Sequence, residues 1–221
     1  MAKVLVEETN LENIADSIRA KNGTQETYLP SEMSTAIDNL PSGGGGDYNA
    51  KIDGSITYYS SYGVKGLISE ADLEGITFSS LNSAFFDWRG VKSIKNITTS
   101  NVTDFENMFR GCKELITAPS MDTKNGKKFA YFFMECAKLQ NVPVYDWSCI
   151  DLTNGDKLQL SFYGCNALTN ESLNNILASC ISATNITRKK TLSNLGLSST
   201  QIATCQTLSN WDAFVSAGWS A

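Results

Sequence analysis

Apolar positions along the chain change their spacing three times, and each change marks a different kind of structure. Over residues 11–21, Leu11, Ile14, Ala15 and Ile18 recur at helical spacing. Thr9 with Glu12 reads as a capping box and Asn22-Gly23 as the stop. A second helix is predicted with Pro30 at its first position and Met33, Ile37 and Leu40 along one face, ending before Pro41. Two short helices with one narrow stripe each are unstable alone in water. Leu11, Ile14, Ile18, Met33, Ile37 and Leu40 are therefore the candidate oligomer or docking contacts of a segment spanning 1–41. Ser42 and the run Gly43 to Gly46 follow, and residues 42–47 read as a flexible linker, since a run without Cβ atoms maximises backbone freedom.

Alternation then replaces the helical period. Ala50 and Ile52, a turn at Asp53-Gly54, then Ile56 and Tyr58 alternate with polar neighbours, and a hairpin over 48–63 is expected.

The third pattern is a repeat. Phe105-x-x-Met108-Phe109-x-x-Cys112-x-x-Leu115-x-x-x-Pro119-x-x-Asp122 returns after 24 residues as Phe129-x-x-Phe132-Phe133-x-x-Cys136-x-x-Leu139-x-x-x-Pro143-x-x-Asp146. A looser copy precedes it by 24 residues, with Leu81, Ala84, Phe85, Trp88 and Val91; another follows by 29, with Leu158, Ser161, Phe162, Cys165 and Leu168. Such a period has leucine-rich-repeat length. One unit, a short helix or irregular turn followed by an extended stretch, cannot bury its own apolar residues, so neighbours are expected to stack into one core over 48–169. Phe109, Phe133 and Phe162 then form one buried row, and Cys112, Cys136 and Cys165 a second. After Leu168 the helical period returns in Leu173, Ile176, Leu177, Cys180 and Ile181. Further helices are expected around Ile202 and Cys205, and around Trp211, Phe214 and Val215, the last capped by Ser209. Residues 170–221 are read as an end cap. The expected class is α+β: a helical N-terminal segment, an irregular leucine-rich-repeat solenoid and a C-terminal helical cap.

Composition narrows the function. Hydrophobic residues at 42% suffice for a core, while charged residues at 19% leave a surface rich in Ser, Thr and Asn, suited to exposed proteins and glycan contact. A net charge of −5 argues against nucleic-acid binding, which draws on clustered cations; the one basic run, Arg188-Lys189-Lys190, is read as a solvated loop. No apolar stretch has transmembrane length, so no membrane insertion is expected. The opening residues lack the apolar core of a secretory signal, which gives the expectation of a product made soluble in the cytosol.

The cysteines at 112, 136, 149, 165, 180 and 205 show no metal-ligand spacing, and there is no histidine. Neither metal, cofactor nor disulfide is expected. Five N-x-S/T sequons, at Asn22, Asn96, Asn101, Asn170 and Asn185, are read as chance in an Asn-rich chain. For catalysis there is no phosphate loop and no nucleophile elbow, which leaves only paired carboxylates as a route, and a non-enzymatic role is expected. Tyr58, Tyr59, Tyr62, Tyr145 and Trp147 lie in or beside extended segments; they are the candidate ligand-contact aromatics if exposed and strand-packing residues if not.

The segment Val102-Thr-Asp-Phe-Glu-Asn-Met-Phe-Arg-Gly-Cys-Lys-Glu-Leu115 resembles the BspA-like leucine-rich repeats, with Phe105 where that family has Met. The match covers roughly residues 48–168 and implies a role in adhesion or surface recognition. The segments Leu11 to Gly23 and Leu29 to Ile37 are similar to a leader of tail and other structural proteins in phages and prophages of Gram-positive bacteria. Together the resemblances imply a virion protein assembled in the host cytoplasm. Residues 1–41 would dock on other virion proteins and the repeats would face a bacterial envelope glycan or protein. A homo-oligomer is implied as well, and the resemblance to fibre-like virion proteins makes a trimer its closed form. Two alternatives stay open: a bacterial cell-surface adhesin of the same repeat family, and a virion decoration protein without a ligand.

Overall fold

A computed structural model describes residues 48–51, 68–150, 157–185 and 190–221. The helices and linker expected over 1–47 lie outside the described residues, as does the second strand of the expected hairpin.

Three short strands form one parallel sheet in chain order: β1 Tyr48–Lys51, β2 Ile68–Asp72 and β3 Ser93–Lys95. The described partner of β1 is thus a parallel strand, not the antiparallel one a hairpin supplies. In β2 and β3 the register sets Ala71 against Ile94 and Asp72 against Lys95. Isolated parallel bridges continue the same direction, Asp104 with Lys128 and Thr117 with Asn141.

Most of the fold is held by a second ladder, made by irregular turns. The amides of Leu81, Ser83, Phe85 and Asp87 donate to the carbonyls of Asp104, Glu106, Met108 and Arg110 at 2.7–2.9 Å. Phe105, Asn107, Phe109 and Gly111 donate in the same way to Lys128, Ala130, Phe132 and Met134, and Phe129, Tyr131, Phe133 and Glu135 to Lys157, Gln159, Ser161 and Tyr163. Alternate amides close tight turns within each rung, as Met108 N does on Phe105 O and Cys112 N on Phe109 O. This alternation requires left-handed backbone at two positions per rung. They are Ser83 and Asp87, Asn107 and Gly111, Tyr131 and Glu135, and Leu160 and Gly164, with φ between 51° and 80°. Glycine is free in this region and other residues are strained there.

Inside the turns the repeated aromatics stack ring on ring. Phe85 lies 5.4 Å from Phe109, Phe109 lies 5.2 Å from Phe133 and Phe133 lies 5.8 Å from Phe162, all near-parallel and all fully buried. Phe105 and Phe129 form a parallel stack at 4.8 Å. The cysteines run beside them. Cys112, Cys136 and Cys165 thiols donate to the carbonyls of Phe85, Phe109 and Phe133 at 3.0–3.1 Å, each reaching back to the preceding rung. Asp104 to Lys128 and Glu114 to Lys138 ion pairs at 2.7 Å tie neighbouring rungs at the surface; partly exposed pairs of this kind contribute about 0–1 kcal/mol each.

Helix α1, Asn170–Ser182, begins at Thr169, whose hydroxyl accepts from Ser172 N. Leu173, Ile176, Leu177 and Cys180 face the core. Its serines meet the outer edge of the extended segment before it. Ser172, Ser179 and Ser182 hydroxyls accept from the amides of Val142, Tyr145 and Trp147, each at 2.8 Å, and Asn175 Nδ2 donates to Val142 O at 2.9 Å. Hydroxyls on one helix face thus replace the next extended segment as hydrogen-bond partner, so this open edge keeps no orphaned amide at those three positions.

The repeat does not end at Leu168. Residues 191–197 make another turn, whose Asn194 and Leu195 carbonyls accept from Leu160 and Phe162. Gly196, at φ 85°, is left-handed like Gly164 and Gly111, but it lies against Tyr163, whereas Gly164 lies against Glu135. Helix α2, Ser199–Cys205, starts with a full capping box of Ser198 and Gln201. Helix α3, Trp211–Ser216, has Asn210 as its cap residue with no side-chain cap bond. Ser209, the expected cap, instead accepts from Asn174 Nδ2 at 3.1 Å, because its position one residue early points it at α1. A final parallel bridge of Thr191 with Ser220, together with Leu192 N on Ser220 O, closes the last turn.

Candidate ligand-contact surface

Of the five aromatics expected to meet a ligand, the structure removes two. Tyr145 is 1% and Trp147 0% exposed. Tyr145 packs on Phe132 and Phe133, and its hydroxyl donates to Pro119 O at 2.9 Å. Trp147 packs on Phe129. Register is the cause: Val144 and Asp146 point outward on this segment, which turns 145 and 147 inward. The repeat carried the signal, since Tyr145 is the equivalent of Met121, which packs on the core, and Trp147 of the buried Thr123. Tyr58, Tyr59 and Tyr62 lie outside the described residues, as do the docking candidates Leu11, Ile14, Ile18, Met33, Ile37 and Leu40. Lys190, expected in a solvated loop, is half-buried: its ammonium donates to Ala217 O at 2.9 Å and lies 5.9 Å from the Trp219 ring. Arg188 and Lys189 lie outside the described residues.

The aromatics that do reach solvent are others. Phe86, Arg110, Met134 and Tyr163 occupy one repeat position on four successive rungs, between the inward Phe and the left-handed residue that follows. Phe86 is 38% and Tyr163 52% exposed. The residue before this column must face the core and the residue after it reverses the chain, so the column has only solvent to face. Arg110 holds its guanidinium carbon 5.6 Å from the Phe86 ring centre and 5.7 Å from that of Tyr131, within cation–π reach of both. Tyr131 is fixed by Gln159, whose Nε2 donates to its hydroxyl at 2.6 Å. Nearby, Arg89 is engaged twice by the Asp87 carboxylate at 2.9 Å, and that contact holds its guanidinium above the usual arginine range.

Burial pushes the Cys136, Cys180 and Tyr145 groups well above their ordinary values, and Cys205 up to about 11. All six cysteines are free thiols, with Cys149 the exposed one. Among the described residues no cluster of three or more His, Cys, Asp or Glu is placed to hold a metal ion, and no helix is long and apolar enough to cross a membrane. The surface so defined is one of stacked repeat turns that present side chains, and not backbone, to solvent.

Residues 79–198, more than half of the chain, match the family described as "Mycoplasma protein of unknown function, DUF285", and the chain belongs to that family. It is a family of BspA-like repeats, in agreement with the motif at Val102 to Leu115. The matched stretch takes in the turn at 191–197, beyond the end expected for the repeats at residue 169. No curated protein and no solved structure matches the chain.

Proposed function

We infer that this chain is a virion-surface protein of a phage or prophage of Gram-positive bacteria, in which a leucine-rich-repeat solenoid closed by a helical cap recognises the host envelope. The observation that carries the reading is the family membership combined with the way the repeats are built. Every rung devotes its backbone and its inward side chains to stability, which leaves the outward column free to vary in service of recognition. The phage assignment rests on the resemblance of residues 11–37 to a leader of virion structural proteins. In this reading residues 1–41 attach the protein to the particle, as a homo-oligomer or on another virion protein, and residues 42–47 let the repeats reach outward.

Fractionation tests this assignment. Particles released from an induced lysogen and banded on a density gradient should carry the chain, detected by an antibody raised against residues 79–198, and that antibody should lower adsorption of the particles to host cells. A chain found only in the cell-envelope fraction would move the assignment to a bacterial surface adhesin. A chain present in the particle whose antibody leaves adsorption unchanged would make it a decoration protein.

A further inference from the structure

We propose that the outward column around Arg110 binds an acidic oligosaccharide, with the guanidinium taking a sugar carboxylate and Tyr163 stacking on a pyranose ring. The inference rests on the surface-recognition reading and names the ligand class for it.

Arg110 is ordered without being used up. Two aromatic rings fix its position, while its hydrogen bonding among the described residues amounts to one long contact, Nη1 to Asn107 Oδ1 at 3.4 Å. No ion pair among the described residues involves it, in contrast to Arg89, whose fork is filled by Asp87. A guanidinium held in this way loses little freedom on binding and offers a planar donor fork that suits a carboxylate. The surrounding column favours a sugar over other anions. Nucleic acid would need clustered cations, and the chain carries a net charge of −5. A peptide added as a strand would need free main-chain donors. Along this column they are spent: Phe105, Asn107, Phe109 and Gly111 amides all bond to the next rung, as do those of Phe129, Tyr131, Phe133 and Glu135. What remains is recognition by side chains alone, from one cation and exposed rings set along an axis. Successive rungs advance by the 5.2–5.8 Å separating stacked Phe rings, a step on the scale of one pyranose in a linear chain. A saccharide lying along the column would set Arg110 and Tyr163 two rungs apart on different sugar units, with the aromatic faces against C–H faces.

Titration calorimetry on the full chain decides it, with hexagalacturonate as the probe and maltohexaose as its neutral counterpart. The unaltered chain should bind the hexagalacturonate in a salt-sensitive manner and the maltohexaose at least tenfold more weakly. Arg110→Gln and Tyr163→Ala should each weaken the acidic ligand at least tenfold while leaving the melting temperature within a degree or two, since both side chains are at the surface. No binding of hexagalacturonate, binding by Arg110→Gln within twofold of the unaltered chain, or equal binding of a hexaglutamate peptide would overturn the proposal. Whole cells separate the two levels. If Arg110→Gln binds cells as well as the unaltered chain does, the oligosaccharide assignment falls and surface recognition stands. If hexagalacturonate binds through Arg110 but cells do not bind the unaltered chain, the site stands and the surface reading falls.

Discussion

Cys136 donates its thiol hydrogen to the carbonyl of Phe109 in the preceding rung, at 3.0 Å, and both residues are fully buried. The bond makes the cysteine row a link between rungs as well as a filler. It also requires the protonated thiol, whose ionisation burial opposes. In the unfolded chain a cysteine ionises near pH 8.5. Above that pH the unfolded state binds fewer protons than the folded state, so stability falls as pH rises, and below it the contribution is fully present. Denaturant melts from pH 7 to 10 should therefore show decreasing stability above about pH 8.5, by at most about 1.4 kcal/mol per pH unit for each of Cys136, Cys180 and Cys205. Cys136→Ala should flatten that slope. A slope unchanged in the variant would mean that Cys136 ionises as freely folded as unfolded.

The left-handed positions make opposite predictions for two residues. A Cβ on Gly196 would stand 2.7 Å from the Cβ and the backbone nitrogen of Tyr163, far inside contact distance. Gly196→Ala should cost about 2 kcal/mol or more, from clash and backbone strain combined. Glu135, the repeat equivalent of Gly111 and Gly164, is left-handed too, with φ 64° and an exposed side chain. Glu135→Gly should stabilise by roughly 0.5 kcal/mol, the relief of strain outweighing the entropy that glycine adds to the unfolded chain. Both are read from urea midpoints, and a destabilised Glu135→Gly would show that its side chain, and not its backbone, sets the cost.

The aromatic row buries large apolar side chains in every rung. Phe133 packs on Phe109, Phe132, Phe162 and Tyr145, and Phe133→Ala should destabilise by about 3–5 kcal/mol. A loss below about 1 kcal/mol in the same melts would remove Phe133 from the core.

Helix α1 should behave as a polar cover for an edge. Replacing Ser172, Ser179 and Ser182 singly by Ala orphans the amide of Val142, Tyr145 or Trp147, with an expected cost of about 1–3 kcal/mol each for the two fully buried contacts and less at Ser182, nearer the helix end. Amide hydrogen exchange gives the local readout: the matching amide should lose protection while those of Phe105 and Phe109 keep theirs. Protection lost evenly across the chain would mean that the serines act only through overall stability.

The sequence made some of this legible and hid the rest for definite reasons. The Phe and Cys rows could be read because identical residue types return after 24 positions and land where they were expected. The inward turn of Tyr145 and Trp147 was legible in principle, through Met121 and Thr123, but aromatic side chains invite a surface reading when register is not fixed. The serine face of α1 gave no signal, because Ser172, Ser179 and Ser182 look like the solvent side of an amphipathic helix until a polar edge is placed against them. The turn at 191–197 was missed because helix α1 separates it from its neighbours and Leu192, Leu195 and Leu197 replace the Phe and Cys of the motif. Arg110 carried no pattern of its own; only stacking brought Phe86 and Tyr131 to either side of it.

Surface recognition is the central claim, and binding of the labelled full chain to intact Gram-positive host cells tests it most directly. The account predicts saturable binding that excess unlabelled chain competes away and that an antibody against residues 79–198 blocks. Binding no greater than that of an unrelated protein of similar charge on the same cells would contradict it.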